Sequence, residues 1–258
     1  MDALYAVLVV LNVIAVGAYL LYVIKSYTPY WMHEIFEWGK TKPLIAGNSW
    51  MKVFHVPNRQ VLTYCFTVLL SLLLLLVQTC RRLFESLFVS VFTGKMNVAH
   101  YLLGVIYYIL DATSLAAPLL QCSKRDEDWC HTCYSPFTTL RWYQYLAVIM
   151  FVWASWHQWN CHNILAKLRQ SPGGQTVKVY RIPQGDWFKF VSSPHYLAEI
   201  MIYVSLFVFQ KGCNIYFGLL LLFTIQNLSI GATVSHEWYK KKFKEYPNSR
   251  CRIFPFVY

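Results

Sequence analysis

The sequence has few charged residues, and few of those are acidic. Of its 258 residues 14% are charged and 12 are Asp or Glu, whereas 57% are hydrophobic. This balance is too apolar for a soluble domain and indicates an integral membrane protein. The net charge of +11 comes from Lys and Arg dispersed among apolar segments, which argues against a nucleic-acid-binding protein.

Two nucleotide-binding motifs of soluble enzymes are absent. Neither G-x-G-x-x-G nor G-x-x-x-x-G-K-[ST] occurs, which argues against a Rossmann or a P-loop site. There is also no internal repeat and no low-complexity segment. We therefore expect residues 1–258 to form a single integral membrane domain.

Six apolar segments approach the length of about 20 residues that a helix needs to cross a bilayer. The predicted spans are residues 3–24, 60–79, 97–120, 143–165, 195–210 and 215–236. We expect the first to be a retained signal anchor and the second to continue as one helix to residue 93. The sequence thus predicts an all-α, polytopic membrane bundle of about six transmembrane helices.

Positive charge predicts the orientation of the bundle. The 166–194 loop carries five Lys or Arg and the tail after residue 236 carries six, whereas the link between the last two spans carries only Lys211. Because cytosolic loops are the basic ones, we expect the loop and the C-terminus to be cytosolic. Counting back through the six spans from a cytosolic C-terminus places residues 25–59 in the lumen. These residues include five Lys or Arg, which fits poorly with the rule that basic loops are cytosolic.

A cysteine cluster lies in the 121–142 loop, which this orientation places in the lumen. Its members are Cys122, Cys130, His131 and Cys133. They have the residue types of a zinc site, but an oxidising compartment favours a disulfide or unused thiols. We predict no metal site.

Ionisable side chains near the helix ends are the candidates for a functional site. His195 and Glu199 lie four residues apart, so they share a helix face. Arg169 and Arg181 flank the 166–194 loop, and arginines around one loop suit an anionic ligand such as a dinucleotide phosphate. A polar stripe on the last helix is also expected, running from Gln226 and Ser229 to His236 and Tyr239.

Several spaced sequence blocks resemble one known family. YRIPQGDWF-x-x-VSSPHYLAE and the later SHEWY-x-x-x-F-x-x-YP-x-SR-x-x-x-x-PF resemble the steroid 5α-reductase family. RRLFES-x-x-VSVF, HQ-x-x-CH-x-IL-x-x-LR and GKTK are similar to its polyprenol reductase branch. The resemblance is strong from residue 141 onward and implies that 141–258 is the cofactor-binding half.

The resemblance implies an enzyme of the endoplasmic reticulum membrane that uses NADPH to saturate a double bond conjugated to a carbonyl. In the polyprenol branch the substrate is the lipid polyprenal or polyprenol, and the product leads to dolichol for protein N-glycosylation. The family has seven spanning helices. Two of them separate the V-P-x-R motif from RRLFE, where this chain has only residues 60–80, so a helix is expected to be missing.

The resemblance also implies site residues. The cofactor candidates that match the family are Arg82, Arg169, Arg181, Tyr239 and Arg250, to which we add His162, His195 and Glu199. The steroid enzymes carry Asn in place of His195, and their Glu–Tyr pair for the steroid ketone has no clear counterpart here.

Hydride transfer needs an electrophilic carbon, which an unsaturated aldehyde offers and an allylic alcohol does not. The chemistry therefore favours polyprenal over polyprenol as the immediate substrate. A positioned acid must stabilise the developing enolate oxygen, and the candidates for this acid are His236, Glu85 and Tyr107.

Two other functions remain open. A trans-2-enoyl-CoA reductase of fatty-acid elongation shares the terminal domain of the family, and would need additional basic surface for CoA. A helix-deleted, non-catalytic isoform would bind NADPH without turnover. The predicted partners are the lipid substrate and the bilayer, and the sequence indicates no particular protein partner.

Overall fold

A computed structural model describes residues 58–91, 98–122, 140–169 and 180–257. Within these ranges the protein is helical and contains no β-strand, which confirms the predicted all-α class for this part of the chain. The helices are α1 (Asn58–Phe84), α2 (Val98–Cys122), α3 (Trp142–Leu168), α4 (Pro194–Phe209) and α5 (Ile215–Lys242). A π-helical turn, Glu85–Val89, continues α1, and a 3-10 turn, Asp186–Lys189, precedes α4. The first predicted span, residues 3–24, lies outside the described residues.

The helices expose apolar side chains and bury polar ones. On α1, Leu73 and Val77 are exposed whereas Ser71 and Gln78 are buried. A helix of a soluble protein has the opposite arrangement, so these faces suit contact with lipid.

Length and composition identify two helices of the described chain that could cross a membrane, Thr67–Val89 and Ile215–Lys242. The apolar segments Leu102–Pro118 and Pro194–Phe209 are shorter. The structure therefore supports a membrane helical protein, with two of the six predicted spans identified by these criteria.

The core forms where α4 packs against its neighbours. Helix α4 contacts α3, α5 and α1, while α2 packs against α1 and α5. Leu72, Leu75, Leu115, Leu206 and Phe217 are fully buried between these helices.

One end of the bundle is closed by side chains that bond to α2. Pro118 lies inside α2 and cannot donate a backbone hydrogen bond to the carbonyl of Ser114. Asn214 Nδ2 donates to that carbonyl at 2.8 Å, and Gln210 Nε2 donates to the Leu115 carbonyl at 2.9 Å. The turn between α4 and α5 is thereby fixed to the helix that proline would otherwise weaken.

The opposite end, which we call the loop end, gathers the C-termini of α1, α3 and α5, the N-terminus of α4, and the tail 243–257. The tail is held there by backbone bonds to the segment before α4. Ser192 N donates to Cys251 O, and Cys251 N donates to Phe190 O, both at 2.9 Å. Val191 and Cys251 form an isolated parallel bridge.

Candidate active site

Polar side chains from three helices converge at the loop end. This polar cluster consists of Gln78, Arg81, Arg82 and Glu85 from α1 and its π-helical turn, Gln158 and His162 from α3, and His195 and Glu199 from α4. The π-helical turn begins at Glu85, whose side chain is completely buried. Such turns are frequent at functional sites, because they redirect side chains within a continuous helix.

Glu85 is the charged centre of the polar cluster. Its carboxylate pairs with both Arg81 and Arg82, and His162 Nδ1 lies 2.6 Å from its Oε2 atom. His162 Nδ1 is also 2.7 Å from Arg82 Nη1. One carboxylate therefore orders two guanidinium groups and an imidazole ring. This arrangement favours a positioning role for Glu85 over a role as proton donor.

Gln158 joins the three helices of the polar cluster. Its side-chain oxygen accepts hydrogen bonds from Gln78 Nε2, at 3.2 Å, and from Arg81. Its amide nitrogen donates to the Glu199 carboxylate and, at 3.4 Å, to the His195 carbonyl. With every group of the amide engaged, Gln158 fixes the positions of α1 and α4 relative to α3.

Several buried nitrogen atoms at the loop end have no hydrogen-bond partner within the described protein. They include Arg81 Nε, His195 Nδ1 and Arg250 Nη1. Buried polar atoms are normally satisfied, so unpaired ones indicate a ligand or water that belongs there. The unpaired nitrogen atoms of Arg81 and Arg250 are donors of the kind that bind the phosphate oxygens of a dinucleotide cofactor.

The tail adds a second group of candidate cofactor residues. The rings of Tyr239 and Tyr246 stack with centroids 5.3 Å apart, and the Arg250 guanidinium lies 5.3 Å from the Tyr246 ring centroid. Arg169 at the end of α3 lies within electrostatic range of the Tyr239 hydroxyl. Tyr239 and Arg250 are therefore brought together on either side of Tyr246, whereas Arg169 lies at the C-terminal end of α3 at the same end of the bundle.

His236 connects the tail to the segment before α4. Its Nδ1 atom is 2.6 Å from Ser192 Oγ, which is also 2.7 Å from the Tyr246 hydroxyl. We call Ser192, His236 and Tyr246 the tail clasp. The predicted polar stripe is wrong at Gln226, which is exposed whereas His236 is buried. Ten residues separate them, which leaves them about 80° apart around the helix.

Tyr107 lies in a different environment, on the wall of an apolar groove between α2 and α5. The groove has a volume of about 540 Å³ and is lined by α2 from Leu103 to Ala117 and by α5 from Tyr216 to Phe223. The Tyr107 hydroxyl is 2.8 Å from Thr224 Oγ1. Of the three candidate acids, Tyr107 is thus the one that would contact an apolar molecule in the groove.

Arg181 differs from the other cofactor candidates in the exposure of its side chain. It is exposed, whereas Arg169 is partly buried and donates to the Val91 carbonyl. Among the described residues no group of three or more His, Cys, Asp or Glu is placed to hold a metal ion. Cys130, His131 and Cys133 of the predicted luminal cluster lie outside those residues.

Sequence reasoning missed several residues on which these sites depend. They are Gln78 and Gln158 in the polar cluster, Ser192 and Tyr246 in the tail clasp, and Asp111 and Tyr203 behind Tyr107. A signal existed for Gln78 and Asp111, because each interrupts an apolar span and such residues usually face a bundle interior. Ser192 and Tyr246 carry no such signal, since their partners are distant in sequence.

The fold and the site define a class: a helical membrane protein with a buried cluster of polar and charged side chains at one end and an apolar groove between two helices. The family model described as 3-oxo-5-alpha-steroid 4-dehydrogenase matches residues 94–258. The chain therefore belongs to the steroid 5α-reductase family of oxidoreductases, as the sequence blocks predicted.

Curated relatives are similar over most of the chain. Polyprenal reductase of Homo sapiens is 36% identical over 230 residues, which cover 86% of this chain and 71% of the relative. Polyprenal reductase of Xenopus tropicalis is 37% identical over 203 residues, covering 77% and 64%. Polyprenal reductase of Xenopus laevis is 32% identical over 274 residues, covering 87% and 85%. This last match is longer than the 258 residues of the chain, so the relative has positions that the chain lacks.

Proposed function

We propose that this protein reduces the α-isoprene double bond of polyprenal with NADPH, in the biosynthesis of dolichol for protein N-glycosylation. The observation that carries the proposal is the presence of buried, unpaired nitrogen atoms at the loop end of the same bundle that has a lipid-facing groove. The names of the relatives point to the substrate class. The proposal includes a location in the endoplasmic reticulum membrane with the C-terminus in the cytosol.

The loop end supplies the residues that would hold the cofactor. Arg82, His162, His195 and Glu199 belong to the polar cluster, and Arg169, Tyr239 and Arg250 to the group at the tail. When bound, NADPH supplies the hydride that the β-carbon of the enal accepts. The protein positions the reactants and provides the electrostatic environment.

Tyr107 is the best placed of the three candidate acids. Glu85 is engaged by two arginines, and His236 is engaged in the tail clasp. The Thr224 hydroxyl donates to the Leu220 carbonyl at 2.8 Å, so Thr224 Oγ1 is free to accept from the Tyr107 hydroxyl. An aldehyde oxygen in the groove would replace Thr224 as the acceptor and would be polarised by the phenol.

A direct test compares polyprenal, polyprenol and a trans-2-enoyl-CoA as substrates of the purified chain in phospholipid vesicles with NADPH. We expect reduction of polyprenal and no comparable reduction of the other two, because polyprenol has no activated double bond and the charged CoA group does not suit the apolar groove. Faster reduction of the enoyl-CoA would support the fatty-acid elongation alternative. NADPH binding without turnover of any substrate would support the non-catalytic isoform.

The two loop arginines should contribute unequally to cofactor affinity. We expect Arg169→Ala to weaken NADPH binding by about 1.5–3 kcal/mol, the usual value of a charge-assisted hydrogen bond. Arg181→Ala should weaken it less, because the Arg181 side chain is exposed. Titration of each variant with NADPH measures both effects, with Lys167→Ala as a control for an exposed charge on the same helix end. Unchanged affinity in Arg169→Ala would remove this residue from the cofactor site.

A further inference from the structure

Asp111 is a carboxyl group with no evident role in the sites described so far. It lies in the apolar helix α2 and is completely buried. Its Oδ2 atom accepts a hydrogen bond from the Tyr203 hydroxyl at 3.0 Å, and its Oδ1 atom has no hydrogen-bond partner. A carboxyl group in a membrane interior is costly and usually functional.

A chain of hydroxyl groups leads from Asp111 to the groove. Tyr203 on α4 and Tyr107 on α2 are in ring contact, with centroids 6.2 Å apart, and their hydroxyls contact Asp111 and Thr224 respectively. Asp111 and Tyr107 are four residues apart on α2 and therefore share a helix face. The order of groups is thus a buried carboxyl, a buried phenol and a phenol on the wall of the groove.

The same chain adjoins the polar cluster. Glu199 of the polar cluster lies four residues before Tyr203 on α4, so the two side chains share a helix face. Asp111, which accepts from Tyr203, is thereby connected to the polar cluster along one face of α4.

We propose that Asp111 and Tyr203 are positioning and proton-supply residues behind Tyr107. This inference rests on the proposed function, which supplies the hydride to the β-carbon. The electrons of the double bond then move toward the carbonyl, and Tyr107 gives its proton to the enolate oxygen. Tyr203 returns a proton to Tyr107, and Asp111, which starts the cycle as the neutral acid, donates one to Tyr203 across the same 3.0 Å contact. Asp111 is left as a carboxylate and regains its proton from water, while the enol becomes the saturated aldehyde.

Asp111→Asn tests this proposal, since asparagine keeps the size and the hydrogen bond to Tyr203 but cannot supply the proton. We expect kcat with polyprenal to fall about 10-fold or more. NADPH affinity and the KM for polyprenal should stay within about twofold, since neither binding site loses a contact. The solvent deuterium isotope effect on kcat should rise, because proton delivery becomes the slow step.

Tyr203→Phe should give the same pattern and keeps the test valid should Asp111→Asn fold poorly. Ser205→Ala is the matched control, because Ser205 is buried on the same helix and bonds to its own backbone at Ile202. Unchanged kcat and isotope effect in both test variants would overturn the inference. So would an equal loss in kcat and in NADPH affinity, which indicates a structural role. A wild-type chain that does not reduce polyprenal would instead overturn the proposed function, and this inference with it.

Discussion

Replacing Glu85 by alanine should destabilise the folded protein by about 3 kcal/mol, the low end of the range for removing one partner of a buried ion pair. Glu85 is completely buried, whereas Arg81 and Arg82 keep 18% and 21% of their side-chain surface exposed. The variant leaves two guanidinium groups close together without their shared carboxylate. The low end of the range applies because partial exposure lets solvent screen these charges. Thermal unfolding of the purified protein in detergent, monitored by size-exclusion chromatography, measures the loss.

Ser86→Ala is the matched control for this experiment. Ser86 is the next residue of the same turn and is buried, but its hydroxyl bonds to its own helix backbone at Arg82. Its replacement removes a polar group without leaving an unpaired charge. Equal stabilities for Glu85→Ala and Ser86→Ala would show that the carboxylate does not hold the two arginines.

His236→Gly should lower the turnover of polyprenal, and the loss should reach about 100-fold or more if the imidazole acts at the chemical step as a positioned acid–base group. The structure gives the physical reason, because His236 holds Ser192 and thereby the tail that carries Tyr246 and Arg250. Glycine removes the ring and its hydrogen bond together. His236→Gln should retain part of the activity, since its amide can still bond to Ser192. Turnover under saturating NADPH and polyprenal, at equal protein level, measures both variants.

Ser192→Ala separates two roles of His236. A large loss of turnover and of NADPH affinity in Ser192→Ala would indicate that His236 acts by docking the tail. Normal turnover in Ser192→Ala together with a 100-fold loss in His236→Gly would assign a more direct role to the imidazole. Near-wild-type turnover in His236→Gly would contradict the prediction.

The helices were predictable because hydropathy reports contact with lipid along a continuous segment. The expected spans at 143–165 and 195–210 correspond to Trp142–Leu168 and Pro194–Phe209. Helix α5 continues six residues beyond its predicted end at 236, into a last turn that contains Lys240, Lys241 and Lys242. Basic side chains stabilise the C-terminus of a helix, an effect that hydropathy does not register.

The connections between helices were not predictable in the same way. Gln78 and Gln158 are 80 residues apart, and Ser192 and His236 are 44 apart. A sequence pattern shows which residues share a helix face but not which face of another helix they meet. The sequence therefore indicated His162 and His236 as candidate site residues, whereas the contacts that Gln158 and Ser192 make with distant partners are visible only in the packing of the helices.

The groove between α2 and α5 affects how the kinetics of such an enzyme must be measured. Leu103 and Leu219 on its rim are half exposed or more, on helix surfaces suited to lipid, so a substrate would enter sideways from the bilayer. The concentration that governs the rate is then the mole fraction of substrate in the membrane rather than its amount per volume of buffer. Added inert phospholipid would slow the reaction by surface dilution alone. A preference for chain length measured in micelles would therefore combine recognition by the groove with partitioning between phases.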